Sequence, residues 1–294
     1  MGAASVWIKA SRPKTLPAAL APVAVGTCLA AGPADTFKLP ILIATIIGAL
    51  FIQIGTNLSN DYSDARRGAD TDERLGPVRV TAGGLVPPKY VLYATWVAFA
   101  IAALAGVYLV VEAGWELILV GAASIVAGVL YTGGPRPYGY EGLGEVFVFL
   151  FFGVVAVMGS YFVQTQELSW EAFALSVPVG LLACSLLMVN NIRDIDTDRR
   201  AGKRTLAVRL GRQTMRTVFS LTILLAFVLI PIIWLATGLT PWINLALLAL
   251  PLWPPLARTV RERTDGDALN KALADSARLE LAFCVLLSVG LLIN

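Results

Sequence analysis

Long apolar segments recur along the whole chain, and they restrict its fold more than any other feature. Nine stretches have the length of about 20 residues that a helix needs to cross the hydrocarbon core of a bilayer. They cover roughly residues 15–32, 39–58, 90–111, 115–132, 145–163, 170–191, 216–237, 240–257 and 277–293. Hydrophobic residues make up 57% of the chain and charged residues 15%, against about 45–50% and 25% in soluble domains. We therefore predict an all-α integral membrane protein, a bundle of nine transmembrane helices.

The segments that connect these stretches differ in charge according to the side of the bilayer on which the nine-helix pattern places them. All of the 23 lysines and arginines except Lys38 fall on the side of the N-terminus. Because cytoplasmic loops are enriched in Lys and Arg, this distribution predicts a cytoplasmic N-terminus in the cell (inner) membrane. The long loops at 59–89, 192–215 and 258–276 share that side, so we expect the active site to face the cytoplasm.

Two clusters rich in Asn and Asp follow the second and the sixth apolar segments. The first cluster contains Asn57, Asn60, Asp61, Asp64, Asp70, Asp72 and Glu73, and the second contains Asn190, Asn191, Asp194, Asp196 and Asp198. Their order is similar enough to indicate a weak internal repeat, with motifs near 60–72 and 190–204. We therefore predict one domain, residues 1–294, in which two pseudo-equivalent helix ends face one cavity.

The spacing of the aspartates indicates a metal site. Asp61 and Asp64 are three residues apart and Asp194 and Asp198 four apart, spacings that share one face of a helix. Like charges repel there, and more strongly in the membrane interface, so a divalent cation is the simplest compensation. Carboxylate and amide oxygens suit Mg²⁺, with Mn²⁺ as an alternative. The chain has no histidine, which excludes zinc or acid–base sites built on that residue.

Arginines and lysines flank both acidic clusters and indicate what the metal binds. They are Arg66, Arg67, Arg74, Arg79, Arg193, Arg199, Arg200, Lys203, Arg204 and Arg209. Mg²⁺ held by acids beside fixed cations is suited to a diphosphate, and in a membrane this suggests an isoprenoid diphosphate. An apolar cavity would keep water from the allylic cation left when the diphosphate departs. An electron-rich acceptor then attacks that cation; no nucleic-acid partner is expected.

The two clusters resemble the motifs of the UbiA superfamily of intramembrane prenyltransferases. Its first motif, N-D-x-x-D-x-x-x-D, reads Asn60-Asp61-Tyr62-Ser63-Asp64 here and then departs, because Gly68 stands in the place of the last aspartate. Asp70 and Asp72 are the candidates to replace it. The second motif, D-x-x-x-D, is intact as Asp194 and Asp198, and a third, Y-S-x-x-x-K-R, is matched loosely by Tyr131-Thr132 and Arg136.

Three further segments are similar to one branch of the superfamily, the enzymes of menaquinone biosynthesis that prenylate 1,4-dihydroxy-2-naphthoate (MenA). These segments are Ser11–Pro17, Gly76–Thr81 and Gly202–Gly211. The resemblance implies that a polyprenyl diphosphate ionises and that the naphthoate ring attacks the resulting cation. CO₂ and diphosphate leave, and demethylmenaquinone is the product. The partners implied are the two substrates and the lipid bilayer.

The same resemblance assigns roles to individual residues. Asp61, Asp64, Asp194 and Asp198 are the expected catalytic residues, and with Asn60 they bind the metal and the diphosphate. The expected substrate contacts are Arg79, Tyr131, Arg136, Asn190, Asn191, Lys203, Arg204 and Lys14. Tyr131 either faces the allylic cation or anchors the chain at the interface, and Asp194 is also a candidate base toward the acceptor.

Two other functions are compatible with the sequence. A UbiA-type enzyme could use another acceptor, such as 4-hydroxybenzoate, homogentisate or a chlorophyll precursor, since the metal motifs do not distinguish acceptors. A cation-coupled secondary transporter also has internal repeats and helices broken by Gly and Pro. Transporter acids are expected near the membrane midplane, whereas these lie at helix ends, which favours the enzyme.

Overall fold

Eleven helices account for most of the chain in the computed structural model, which describes residues 3–69 and 75–293. No β-strand occurs among the described residues. The helices are α1 (Ala3–Ser11), α2 (Pro17–Ala31), α3 (Leu39–Arg66), α4 (Pro88–Ala113), α5 (Glu116–Leu130), α6 (Gly144–Thr165), α7 (Trp170–Arg200), α8 (Leu206–Leu210), α9 (Arg212–Thr237), α10 (Pro241–Glu262) and α11 (Gly266–Leu292). Helix α6 contains a π-helical stretch, Phe149–Val155, and α10 starts as a 3₁₀ helix, Pro241–Leu252.

Each of the nine apolar segments lies in one of these helices, so the prediction of an all-helical membrane protein is confirmed. Among the described residues, six helices are long and apolar enough to cross a bilayer, and the pair Ser5–Thr15 and Pro17–Ala31, bent by 53°, forms a seventh candidate. Helix α5 is shorter, with 15 residues, and α11 has charged residues in its first half. The count of nine crossings is thus a prediction that the described helices do not yet confirm.

The paired aspartates of both motifs, Asp61 with Asp64 and Asp194 with Asp198, lie within α3 and α7, which corrects the predicted helix ends. Helix α3 runs to Arg66 instead of residue 58, and α7 runs to Arg200 instead of residue 191. The extension is possible because polar residues recur every three or four positions, as in Asn57, Asn60 and Asp64, and face the protein interior. Their buried polar atoms find partners on other segments, so the helices continue beyond their apolar portions.

The helix ends follow local signals. Ser169 precedes α7 and accepts a hydrogen bond from the backbone N–H of Ala172, as a helix-capping serine does. Proline occupies the first position of α4, where its missing N–H costs nothing. Gly238 ends α9 in the left-handed conformation, with φ of 70°. The Gly133-Gly134-Pro135 sequence lies between α5 and α6.

The core lies where α7, α9 and α11 pack together. Leu182, Phe219, Ile223 and Phe283 are fully buried there, and the rings of Phe227 and Phe283 meet edge to face with centroids 5.3 Å apart. Large apolar side chains on α4, α5 and α9 are instead exposed at the outer surface of the bundle. A surface of this kind is suited to contact with lipid.

Candidate active site

A cavity of about 660 Å³ runs between α2, α3, α4, α5, α6 and α7. Its polar end is formed by the last turns of α3 and α7, by the segments that follow them and by the turn that precedes α6. The residues there are Asn60, Asp64, Arg79, Tyr140, Asn190, Asn191, Asp194, Asp198 and Lys203. Apolar side chains such as Ile52, Val107 and Phe152 line the rest. The cavity therefore suits a molecule with an anionic head and a long apolar tail.

Asp64 is the most enclosed carboxylate of the polar end. It is 1% exposed, and it accepts hydrogen bonds from Arg79 Nη2 at 2.8 Å and from Tyr140 Oη at 2.6 Å. The ammonium group of Lys203 lies 3.4 Å from the same carboxylate. One buried anion thus lies beside two cations and a phenol, and cationic donors of this kind can also bind a further anion.

Asp61 faces away from the cavity and holds the segment that follows the first motif. Its two carboxylate oxygens accept hydrogen bonds from the backbone N–H groups of Val80, at 3.0 Å, and Thr81, at 2.9 Å. This pairing fixes the backbone beside Arg79, whose side chain reaches Asp64. The structure therefore places Asp61 behind the site, where it supports the position of a cavity cation.

A buried arginine organises the second motif. The guanidinium of Arg193, 1% exposed, donates to both oxygens of Asp194, with distances of 2.8 and 2.6 Å. It also donates to Asn190 Oδ1 at 2.6 Å and to Asn270 Oδ1 at 2.7 Å. Asn270 Nδ2 in turn donates to the carbonyl of Leu75. Helix α11 therefore links the second motif to the segment that follows the first.

Lys203 brings the two motifs together. Its Nζ lies 3.4 Å from Asp64 Oδ1 on the first motif and 4.0 Å from Asp198 Oδ1 on the second. The same group lies 4.6 Å from the centre of the Tyr140 ring, within the range of a cation–π interaction. One ammonium group therefore contacts both acidic clusters at the polar end of the cavity.

Some residues assigned from the sequence lie elsewhere. Lys14, Arg136 and Arg204 are exposed and do not line the cavity. Arg204 contributes through its backbone, whose N–H donates to the carbonyl of Tyr140 at 2.7 Å. The two candidates for the missing third aspartate, Asp70 and Asp72, lie outside the described residues. The roles of these five residues in substrate or metal binding stay predictions.

Tyr140 is a site residue that the sequence did not reveal. It belongs to a 3₁₀ turn, Tyr138–Glu141, between α5 and α6. Burial and the neighbouring Asp64 carboxylate raise the pKa of its phenol, so the hydroxyl stays protonated and donates to Asp64. The signal in the sequence, a tyrosine near a Gly- and Pro-rich loop, was too general to single it out.

Aromatic rings line the cavity from its polar end toward its apolar part. Tyr131 and Tyr138 meet edge to face with centroids 5.5 Å apart, and Tyr138 stacks on Phe147 at 3.9 Å. Phe151 continues the row 6.2 Å from Phe147. Such rings offer apolar area together with π faces that attract a positive charge.

The donor atoms at the polar end fit a hard divalent cation. Asp64, Asp194, Asp198 and the neighbouring asparagines supply carboxylate and amide oxygens. Among residues 3–69 and 75–293, no three acidic or cysteine side chains form a preassembled metal cluster. Mg²⁺ usually takes one or two carboxylates and completes its shell with water and substrate phosphates. The site therefore fits a cation that binds together with a diphosphate.

Sequence comparison identifies relatives over nearly the full length. A Mycobacterium tuberculosis protein named 1,4-dihydroxy-2-naphthoate octaprenyltransferase is 42% identical over 285 residues, covering 97% of this chain and 96% of the relative. An Escherichia coli protein of the same name is 36% identical over 294 residues, covering 98% of this chain and 95% of the relative.

Comparison with solved structures and with a family model agrees with the sequence similarity to these relatives. A UbiA homologue from Archaeoglobus fulgidus, solved with DMAPP and Mg²⁺, superposes with a TM-score of 0.65 at 14% identity, covering 96% of this chain and 99% of the other. The UbiA prenyltransferase family matches residues 19–283. The resemblance read from the two aspartate motifs is confirmed, and the chain belongs to the UbiA prenyltransferase family.

Proposed function

We propose that this protein transfers a polyprenyl group from a polyprenyl diphosphate to 1,4-dihydroxy-2-naphthoate, with loss of CO₂ and diphosphate, in menaquinone biosynthesis. Relatives that carry this activity in their names align with almost the entire chain. The observation that carries the proposal is the meeting of both aspartate motifs, through Lys203, at the polar end of an otherwise apolar cavity.

The polar end supplies the groups that a metal-bound diphosphate requires. Asn60, Asp64, Asp194 and Asp198 would hold Mg²⁺, or Mn²⁺ in its place, with Asp61 supporting the site from behind. The metal, when bound, neutralises the diphosphate and makes it a better leaving group. Arg79 and Lys203 contribute fixed positive charge to the same oxygens. Asn190 and Asn191 line the same end and offer amide contacts.

The apolar part of the cavity is suited to the transfer of the prenyl group. The C–O bond of the prenyl diphosphate breaks, and its electron pair leaves with the diphosphate. The ring carbon that bears the carboxylate then forms a C–C bond to the allylic carbon. The carboxylate departs as CO₂, and its bonding pair restores the aromatic ring, which gives demethylmenaquinone in its reduced form. Excluding water from the cavity keeps the allylic cation from being hydrolysed, and the face of Tyr131 can stabilise it.

We also propose that residues 1–294 act as one catalytic domain with nine membrane crossings and with the polar end of the cavity in the cytoplasm of the cell (inner) membrane. The charge distribution supports this orientation. Lys38 precedes α3, whereas Arg66 and Arg67 end that helix beside the site. Every other lysine and arginine falls on the Arg66 side of the predicted pattern, as cytoplasmic loops require.

An acceptor panel tests the reaction. Purified protein is incubated with Mg²⁺, geranylgeranyl diphosphate and one of three acceptors: 1,4-dihydroxy-2-naphthoate, 4-hydroxybenzoate or homogentisate. We expect a prenylated, decarboxylated product from the naphthoate alone, identified by mass spectrometry. Product only from 4-hydroxybenzoate or homogentisate would contradict the acceptor assignment. No product from any acceptor would contradict the enzyme and make a transport assay the next experiment.

A further inference from the structure

A buried glutamate outside both aspartate motifs lies directly behind the polar end of the cavity. Glu145 is the second residue of α6 and is 7% exposed. Its Oε1 accepts a hydrogen bond from Asn191 Nδ2 at 2.9 Å, and Asn191 lines the cavity. Its Oε2 is buried without a hydrogen-bond partner among the described residues. Burying a carboxyl group with an unpartnered oxygen is costly, and the hydrogen bond of its other oxygen goes to a residue of the cavity wall.

The hydrogen bond fixes which end of the Asn191 amide faces the cavity. A carboxyl oxygen that accepts a hydrogen bond pairs with the NH₂ group of an asparagine and not with its oxygen. With Nδ2 directed to Glu145, the carbonyl oxygen is the atom that Asn191 can offer to a bound ligand.

The amide of the adjacent residue, Asn190, has the opposite orientation. Asn190 Oδ1 accepts a hydrogen bond from Arg193 Nη2 at 2.6 Å. Its NH₂ group is therefore the part of the amide that can face the cavity. The two neighbouring amides therefore have different buried partners, the Glu145 carboxyl group and the Arg193 guanidinium, and present opposite polarity. A packing role alone does not require one hydrogen-bond acceptor and one donor behind the two amides.

The oxygen of Asn191 lies on the same side of α7 as the carboxylates of the second motif. Asn191, Asp194 and Asp198 are separated by three and four residues, the spacing of one helix face, and all three line the cavity. Side chains that orient metal ligands from behind commonly hold the ligand through such a hydrogen bond.

We propose that Glu145 is a positioning residue, which turns the Asn191 carbonyl oxygen toward the cavity as an oxygen ligand for the divalent cation beside Asp194 and Asp198. The proposal rests on the proposed function, because that function supplies the cation. It adds the start of α6 to the segments that build the site.

Metal binding without turnover tests the role directly. The probe is Mn²⁺, whose electron paramagnetic resonance signal broadens on binding, titrated into the full purified chain with an unreactive geranylgeranyl diphosphate analogue. In Glu145→Ala the Asn191 amide can rotate, so we expect the Mn²⁺ Kd to rise roughly 10- to 100-fold, the range for residues that orient metal ligands. Glu145→Gln should give a smaller rise, because the new amide can either donate or accept.

A reciprocal exchange separates positioning from general damage. In Asn191→Asp two carboxylates face each other, and we expect the weakest Mn²⁺ binding of the series. In Glu145→Gln/Asn191→Asp the glutamine NH₂ can donate to the aspartate, so an oxygen again faces the cavity and Mn²⁺ binding should recover toward the wild-type Kd. If Glu145→Ala fails to fold, the Mn²⁺ Kd values of Glu145→Gln, Asn191→Asp and the double variant are sufficient to test the proposal.

Glu280 provides the matched control. It is a fully buried carboxyl on α11, and it does not line the cavity. Glu280→Gln should leave Mn²⁺ binding unchanged. A wild-type Kd in folded Glu145→Ala, or a double variant as weak as Asn191→Asp, would overturn the proposal. A wild-type protein that binds Mn²⁺ but prenylates no acceptor would contradict the proposed function and leave the Glu145 result valid.

Discussion

At the scale of single residues, the site depends on how a few buried charges are shared. Asp64 has contacts with Arg79, Tyr140 and Lys203, so its negative charge is already compensated before a substrate arrives. A diphosphate with its metal would enter an environment in which the same cations can turn to its oxygens. The carboxylates and cations therefore act as one set, and the loss of a single member should change the binding of the whole substrate head.

The Tyr140 hydroxyl offers a test of whether the groups around Asp64 bind the substrate head together. In Tyr140→Phe the hydrogen bond to Asp64 is lost while the ring beneath Lys203 remains. A hydrogen bond to a charged group contributes roughly 1.5–3 kcal/mol, so we expect the KM for the prenyl diphosphate to rise at least about tenfold. The KM for the aromatic acceptor should change little. Steady-state kinetics with each substrate varied in turn would check this, and an equal rise in both KM values would argue against it.

Sequence reasoning found the site residues whose chemistry is local and missed those whose partners are distant. Asp64, Asp194 and Asp198 were predicted because carboxylates at helical spacing are informative by themselves. Tyr140 and Glu145 were not, because their partners Asp64 and Asn191 lie 76 and 46 residues away. Contacts of that separation depend on how the helices pack, which no local pattern records.

At the scale of helices, apolar length predicted where each one lies but not where it ends. The ends of α3 and α7 extend beyond the apolar stretch because the polar side chains of the motifs find buried partners on other segments. A hydropathy pattern assigns such polar turns to water. This is the physical reason why the apolar pattern ended α3 and α7 too early, although the helical spacing of the aspartates was correct.

Helix α6 approaches α7 so closely that a side chain between them would clash. A Cβ at Gly153 would lie 2.6 Å from Gly180 Cα and 2.9 Å from the Ser176 carbonyl oxygen. We expect Gly153→Ala to destabilise the protein by about 1–3 kcal/mol, the usual cost of overpacking. Thermal denaturation in detergent measures it.

A control lies in the same helix. A Cβ at Gly159 would meet nothing within 4 Å, so Gly159→Ala should leave the melting temperature near that of the wild type. Equal melting temperatures for the two variants would show that the contact between α6 and α7 is looser than described.

At the scale of the whole molecule, the arrangement of charge connects the fold with the reaction. A chain with only 15% charged residues gathers four aspartates, two cavity cations and a buried Arg193 at one end of an apolar bundle. The sequence predicted this concentration from the position of its cations and its two aspartate clusters. The lateral packing of the helices shapes the apolar part of the cavity. This packing could not be predicted from the charges or the apolar segments of the sequence.

The central claim is that both aspartate motifs act on one metal-bound prenyl diphosphate. The most direct measurement is the amount of prenylated naphthoate, diphosphate and CO₂ formed by wild-type protein, Asp64→Ala and Asp198→Ala, each with Mg²⁺, with EDTA and with Mg²⁺ restored. We predict equal amounts of the three products from the wild type, none in EDTA, recovery with Mg²⁺, and little product from either variant. Full activity without a divalent cation, or in both variants, would contradict the account.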